Sequence, residues 1–309
     1  ALALCPSLLV GSASARPLLF PGMDAILVVG DSLTQNGSAE ANGWCQQMTQ
    51  TWIRRADIIN RGMSGWQSSW GVEYFDRMAS MPTPYLFISI WFGANDSCYA
   101  PAKMERYHVP VDKFKKNILE LGEKALAKTG VLLLITPPPV DWPRRAQWMA
   151  DSGGDGIEDR DIKFTKKYRD AVVEACEELK RQHLGSPAPS ADAGDAAGGS
   201  GGARQKTVLL LDMWPAMSES KDARCLEVGA ELADEDYKAF KPSMDQYLCE
   251  DGLHFSAKGH DWIYEKVEGA LKGVVDFPTP CPLKLHCGCS GAGGGPPAFP
   301  WHDDAAALP

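Results

Sequence analysis

The sequence predicts an α/β domain in three layers, with helices on both faces of a parallel β-sheet. Short apolar runs alternate along the chain with longer segments of helical periodicity, which is the pattern of such domains. Connections through helices form right-handed crossovers, so the strands that they join run parallel. In addition, clusters of polar residues directly follow several apolar runs, at the edge where open parallel sheets bind ligands.

Five strands are predicted. The first covers residues 25–30 (AILVVG), a continuous apolar run typical of a strand that is buried on both faces. The others are predicted at residues 57–60, 85–92, 131–135 and 207–211. The third is rich in β-branched and aromatic residues, which favour strands.

Helices are predicted at residues 44–55, 111–128, 161–181 and 257–271. In the second of these, apolar residues recur at helical spacing, at Phe114, Ile118, Leu121 and Ala125. Gly130 then follows as a stop signal.

We expect one domain over residues 24–275. Residues 1–23 are expected to be a leader or a disordered segment, and residues 276–309 a tail rich in Pro, Gly and Cys. Residues 186–203 contain Ala, Gly, Ser, Pro and Asp without apolar periodicity. Since such a composition does not build a core, they are expected to form a disordered, low-complexity insertion within the domain.

The composition excludes several classes of partner. The 309 residues include 31 Lys and Arg against 40 Asp and Glu, which gives a formal net charge of −9. An acidic chain without a basic run is a poor counterion for nucleic acid or anionic lipid, so neither partner is expected. No apolar stretch approaches the length of a membrane-spanning helix. A homo-oligomer is left open.

Cysteine usage bears on the compartment. The nine cysteines are irregularly spaced, unlike a disulfide framework, which favours a reducing and therefore cytoplasmic location. The alternative is a secreted or organellar location, if residues 1–15 are the remnant of a targeting signal. Residues 13–15 (ASA) fit a signal cleavage site, but no basic residue precedes Arg16.

Three of the cysteines cluster near a histidine in the tail, at Cys281, His286, Cys287 and Cys289. Structural zinc sites usually pair C-x2–4-C units across a longer loop, and this spacing does not do so. No metal is therefore expected, and the role of these cysteines stays open.

A serine, a histidine and an aspartate form a candidate catalytic set. Ser32 follows the first strand at a turn into a helix, which would present its hydroxyl at the sheet edge. A serine hydroxyl needs a neighbouring base, and of the six histidines His254 is the one that follows an aspartate, Asp251, in the pattern D-x-x-H. Taken alone, Ser32 could be a helix cap, and Asp251 and His254 could form a capping arrangement.

An oxyanion that develops in acyl transfer needs fixed hydrogen-bond donors. The candidates are the backbone N–H of Ser32, a glycine N–H after the second strand and the side-chain amide of Asn95. The alternative for Asn95 is a purely structural role, in which its side chain forms an Asx-turn.

These motifs together resemble the SGNH/GDSL hydrolase superfamily. The blocks are GDSL at 30–33, NRGMSG at 60–65, FGANDS at 92–97, HVP at 108–110, LITP at 134–137 and DGLHFSAKG at 251–259. They occur in the order of the superfamily, and the flanks are similar to its isoamyl acetate-hydrolysing esterase branch. The resemblance covers roughly residues 24–275, apart from the insertion.

The resemblance implies a flavodoxin-like sheet of five parallel strands in the order 2-1-3-4-5. It makes Ser32 the nucleophile, His254 the general base and Asp251 the residue that orients it. It assigns the oxyanion hole to Ser32, Gly65 and Asn95. No metal or organic cofactor is implied.

Two more residues are candidates for substrate binding. Trp66 directly follows the glycine of the oxyanion hole, and Cys98 follows the FGANDS block. A loop over residues 137–148 is a further candidate wall of the pocket, whereas packing is the alternative role for Cys98.

The predicted function is that of a serine esterase for a small-molecule ester, with short-chain, acetate-type esters as the expected substrates. A carbohydrate O-acetyl esterase, a lysophospholipase and a thioesterase of the same superfamily are the enzymatic alternatives. A catalytically silent protein that binds an acyl ligand in the same crevice is the alternative from another class.

Overall fold

The structure is a computed structural model that describes residues 24–53, 55–81, 84–98, 105–153, 159–186 and 205–275. The expected leader at 1–23 and the expected tail at 276–309, with its cysteine cluster, lie outside the described residues. The expected insertion at 186–203 also lies outside them, except for Ser186.

Five parallel strands form one sheet in the order β2-β1-β3-β4-β5. They are β1 (Asp24–Gly30), β2 (Ala56–Gly62), β3 (Phe87–Trp91), β4 (Val131–Ile135) and β5 (Thr207–Leu211). The predicted fold class and strand order are confirmed.

The register brings three strand ends level. Gly30, the last residue of β1, pairs with Gly62 on one side and with Trp91 on the other. The polar segments that follow β1, β2 and β3 therefore emerge side by side at the carboxyl edge of the sheet, where α/β proteins bind ligands.

Nine helices accompany the strands in the described part of the chain. They are α1 (Ser32–Ala39), α2 (Trp44–Thr51), α3 (Ser68–Met78), α4 (Val111–Leu126), α5 (Trp142–Asp151), α6 (Ile162–His183), α7 (Met213–Ala216), α8 (Tyr237–Tyr247) and α9 (Ala257–Leu271). None of them is long and apolar enough to cross a membrane.

The helices cover both faces of the sheet and form two apolar cores. Ile26 and Val28 of β1 belong to the core beneath α2, α8 and α9. Leu27 and Val29, which alternate with them, belong to the core beneath α3, α4 and α6. Successive side chains of a strand point to opposite faces, so a strand between two helical layers must be apolar throughout.

Several predicted boundaries were wrong. The helix predicted at 44–55 ends at Thr51, because the carbonyl of Trp52 accepts from the N–H groups of both Arg55 and Ala56 in a turn that leads into β2. The second strand is longer than 57–60, since ladder pairing continues through the polar residues to Gly62.

The third strand is shorter than 85–92, because Tyr85 makes only an isolated bridge to Thr129. The fourth and fifth strands and the last helix have their predicted bounds. The helix predicted at 111–128 ends two residues earlier, and the helix predicted at 161–181 begins one residue later and ends two residues later.

The region 137–148 is only partly a loop. Helix α5 begins within it at Trp142, because the Asp141 side chain accepts from the N–H of Arg144 and caps the helix. Helices α3, α7 and α8 had no counterpart in the sequence prediction.

Candidate active site

The turn after β1 presents Ser32 at the sheet edge. Asp31 caps α1, since its carboxylate accepts from the N–H of Leu33 at 2.9 Å. Ser32 is thereby the first residue of the helix and not its cap, and only 6% of its surface is exposed. Its hydroxyl is free of a capping role.

Ser32, His254 and Asp251 form a hydrogen-bonded chain. His254 Nε2 lies 2.9 Å from Ser32 Oγ, and His254 Nδ1 lies 2.6 Å from Asp251 Oδ2. An ionised carboxylate only accepts, so Nδ1 carries the proton and Nε2 accepts from the serine hydroxyl. This is the geometry of a nucleophile, its base and the group that orients the base.

The loop that carries the histidine is shaped by the same aspartate. Asp251 Oδ1 accepts from the N–H groups of Leu253 and His254, at 3.1 and 3.0 Å, while its other oxygen binds the histidine ring. Asp251 therefore shapes this loop and orients the ring, but it caps no helix, since the cap of the next helix, α9, is Ser256. Burial would raise the pKa of Asp251, but the hydrogen bonds from His254 and Leu253 outweigh it and hold this pKa well below its usual value.

The segment after β2 turns sharply at Gly65. The N–H of Trp66 donates to the carbonyl of Met63 at 3.0 Å, and Gly65 has φ +77°, a conformation that favours glycine. Gln35 of α1 supports this turn, since its Oε1 accepts from the N–H of Ser64 at 2.8 Å.

Asn95 follows β3, and its side-chain amide has two fixed partners. Nδ2 donates to the carbonyl of Trp66 at 2.8 Å, and Oδ1 accepts from Arg160 Nη2 at 3.1 Å. One N–H of the amide remains for a ligand. These contacts replace the Asx-turn that was the alternative interpretation.

Two further carboxyl groups lie under the site. Burial raises the pKa of Asp31 to about 7, against the hydrogen bond from Leu33, and the charge of Asp96 adds to the increase. Burial likewise raises the pKa of Asp96 to about 6, although Asp96 accepts from the N–H of Ser68 at 2.9 Å.

The candidate substrate contacts have packing partners. The Trp66 ring contacts the rings of Trp70 and Tyr74, with centroids 6.3 and 5.4 Å away. Cys98 is fully buried, and its carbonyl lies 2.8 Å from His108 Nδ1, which supports the packing alternative. Their contact with substrate stays a prediction.

Three residues near the site were missed by the sequence interpretation, namely Gln35, Tyr107 and Arg160, and a fourth, Arg145, was covered only as part of the candidate wall at 137–148. Tyr107 lies beside the Gly65 turn, since its ring is 3.4 Å from where a β-carbon of Gly65 would lie. Arg145 Nη1 lies 3.5 Å from Asp251 Oδ2. These residues are distant in sequence from the motifs they contact, so no local pattern indicates them.

No group of three or more His, Cys, Asp or Glu residues with the geometry of a metal site occurs among the described residues.

Comparison with known sequences identifies relatives over most of the chain. The model of the family described as GDSL-like Lipase/Acylhydrolase matches residues 26–267. A GDSL esterase/lipase of Arabidopsis thaliana is 29% identical over 265 residues, which cover 84% of this chain and 89% of the relative. The human isoamyl acetate-hydrolyzing esterase 1 homolog is 24% identical, with 85% and 84% covered.

Solved structures share the fold. Axe2, an acetylxylan esterase from Geobacillus stearothermophilus, superposes with a TM-score of 0.51 at 16% identity, over 81% of this chain and 94% of the other. LAE5, a hydrolase from the metagenome of Lake Arreo, also gives a TM-score of 0.51 at 16% identity, over 81% and 96%.

Proposed function

The chain belongs to the GDSL-like lipase/acylhydrolase family, and on this premise we propose that it hydrolyses short-chain carboxylic esters through a covalent acyl-serine. The observation that carries the proposal is the continuous hydrogen-bonded chain from Ser32 Oγ through the His254 ring to Asp251, with distances of 2.9 and 2.6 Å. An esterase of this kind needs no metal or organic cofactor.

In the first half of the reaction, His254 Nε2 removes the hydroxyl proton of Ser32 while Oγ attacks the ester carbonyl carbon. The carbonyl oxygen becomes an oxyanion that accepts from the N–H groups of Ser32 and Gly65 and from the Asn95 amide. The protonated His254 then donates its proton to the leaving alcohol as the bond from carbon to the alcohol oxygen breaks. The acyl group remains on Ser32.

In the second half, water takes the place of the alcohol. His254 removes a proton from the water molecule, whose oxygen attacks the acyl carbon. The same donors hold the second oxyanion, and the returned proton releases Ser32 as the carboxylic acid leaves. Asp251 stays ionised throughout and keeps the ring oriented.

The substrate class rests on the sequence motifs and on relatives named as isoamyl acetate-hydrolyzing esterases. We propose acetate-type esters of small alcohols. The carbohydrate O-acetyl esterase, lysophospholipase and thioesterase activities are treated as outcomes of the substrate test.

Hydrolysis of p-nitrophenyl acetate, butyrate and octanoate by the wild type and by Ser32→Ala tests the proposal. We expect the rate to be highest for the shortest acyl chain and to fall by several orders of magnitude in the variant. Activity that rises with chain length would move the substrate toward lipids. Exclusive activity on acetylated sugars would move it toward carbohydrate esters.

A further inference from the structure

A line of buried charges runs from one half of the site to the other. Asp251 faces Arg145 at 3.5 Å, and Arg145 Nε lies 3.4 Å from Asp159 Oδ1. Asp159 pairs in turn with Arg160, which donates to Asn95 at 3.1 Å. Arg145, Asp159 and Arg160 are 8%, 1% and 3% exposed. The line contains two cations and two anions, so its charges balance.

Arg160 donates two hydrogen bonds to the segment that follows β3. Its Nε donates to the carbonyl of Ala94 at 2.9 Å, and its Nη2 donates to Asn95 Oδ1 at 3.1 Å. The guanidinium is planar and rigid, so these two bonds fix the backbone at Ala94 and the side chain of Asn95 relative to each other. A lysine ammonium lacks this fork.

The contact also decides which way the Asn95 amide faces. Arginine only donates and the carbonyl of Trp66 only accepts, so Oδ1 must face Arg160 and Nδ2 must face Trp66. Without the guanidinium, only the hydrogen bond from Nδ2 to the carbonyl of Trp66 opposes reversal of the amide. The reversed amide would direct Oδ1 toward the developing oxyanion. A reversed amide would repel that charge.

We propose that Arg160 is a positioning residue of this enzyme, which holds the Asn95 amide in the orientation that donates to the oxyanion. The inference rests on the proposed function, because it assigns a role in the same reaction. Asp159 neutralises the buried guanidinium, and Arg145 extends the line of charges to Asp251. Arg160 thus acts through Asn95 and does not contact the substrate.

The test is a double-mutant cycle on kcat and KM with p-nitrophenyl acetate. Arg160→Lys keeps the buried charge without the fork, and Arg160→Met removes both. We expect each to lower kcat roughly 10- to 100-fold with KM little changed, and Asn95→Ala to lower kcat roughly 10²- to 10³-fold. In the Asn95→Ala background, either change at position 160 should lower kcat by less than about threefold, because the amide it positions is gone.

Arg169→Lys is the matched control. Arg169 is also a buried arginine, but it lies on α6, and its ion-pair partners are Asp170 and Asp212 and not Asn95. We expect this variant to keep wild-type kcat. If Arg160→Met fails to fold, Arg160→Lys decides the test alone.

Two outcomes would overturn the inference while leaving the proposed function intact. One is a wild-type kcat in Arg160→Lys and in folded Arg160→Met; the other is a loss in kcat that multiplies fully with that of Asn95→Ala. By contrast, a wild type that hydrolyses none of the esters and takes up no fluorophosphonate would contradict the proposed function itself.

Discussion

Gln35 Oε1 accepts a hydrogen bond from the backbone N–H of Ser64 at 2.8 Å. The bond links α1, the helix that begins at Ser32, to the turn that carries Gly65. The serine and the candidate glycine donor are therefore held relative to each other by a side chain that belongs to neither motif. Catalysis through preorganised donors depends on such fixed distances.

Loss of the Gln35 contact should lower turnover. We expect Gln35→Met, which keeps the approximate size of the side chain, to reduce kcat about three- to tenfold with a smaller effect on KM, since the turn loses its fixed distance from Ser32. Steady-state kinetics with p-nitrophenyl acetate measure this. Gln46→Met is the control, because Gln46 bonds Ser38 and Asn42 and does not contact the turn. Unchanged kcat in Gln35→Met would show that the bond is dispensable.

Gly65→Ala should lose both stability and activity. At φ +77° an alanine is strained by about 1–2 kcal/mol, and the displaced N–H would donate poorly to the oxyanion. Urea unfolding and kcat test the two effects. Gly153→Ala separates them, because Gly153 has φ +80° and no atom of the described residues lies within 4 Å of its β-carbon position, so it should lose stability and keep kcat. A full kcat in Gly65→Ala would remove this glycine from the oxyanion hole.

Asp251→Asn should reduce kcat by roughly 10³- to 10⁴-fold, because an amide N–H facing Nδ1 favours the wrong ring tautomer. Among the described residues, Asp251 is the hydrogen-bond partner of that nitrogen. Circular dichroism checks that the fold is retained. A folded variant within tenfold of the wild-type kcat would contradict the orienting role.

Asp31→Asn should change the pH dependence of stability. Burial raises the pKa of Asp31 from 3.8 to about 7, so the folded state binds more protons than the unfolded state between these values. Stability contributed by the neutral carboxyl is therefore present below pH 4 and is lost as the pH rises to about 7. Since asparagine caps a helix equally well, the variant should gain thermal stability relative to the wild type over that interval. Parallel stability curves for the two proteins from pH 4 to 8 would contradict the assignment.

The sequence predicted the sheet well because most of its strands are short apolar runs that give a local signal. Val131–Ile135 and Thr207–Leu211 have the predicted bounds, whereas the polar end of Ala56–Gly62 was missed, since its pairing with β1 is not visible locally. Helix α5 was taken for a loop because three prolines precede it and its cap, Asp141, gives only a weak signal.

The residues of the candidate site likewise fall into those that the sequence predicted and those that it did not. Ser32, Asn95 and His254 lie in compact motifs, and the structure brings these motifs together at one sheet edge. Gln35 and Arg160 were not predictable, because each contacts a segment that is 29 or 65 residues away in sequence. Long-range supports of this kind depend on the fold and leave no pattern along the chain.

In the proposed mechanism, Ser32 is a nucleophile that is activated by His254. Labelling with a fluorophosphonate, followed by mass spectrometry of the modified peptide, tests it most directly, because only an activated serine reacts. We expect one adduct, located on Ser32, that is absent in Ser32→Ala and forms far more slowly in His254→Ala. A wild-type protein that stays unlabelled, or an adduct on another residue that persists in Ser32→Ala, would contradict it.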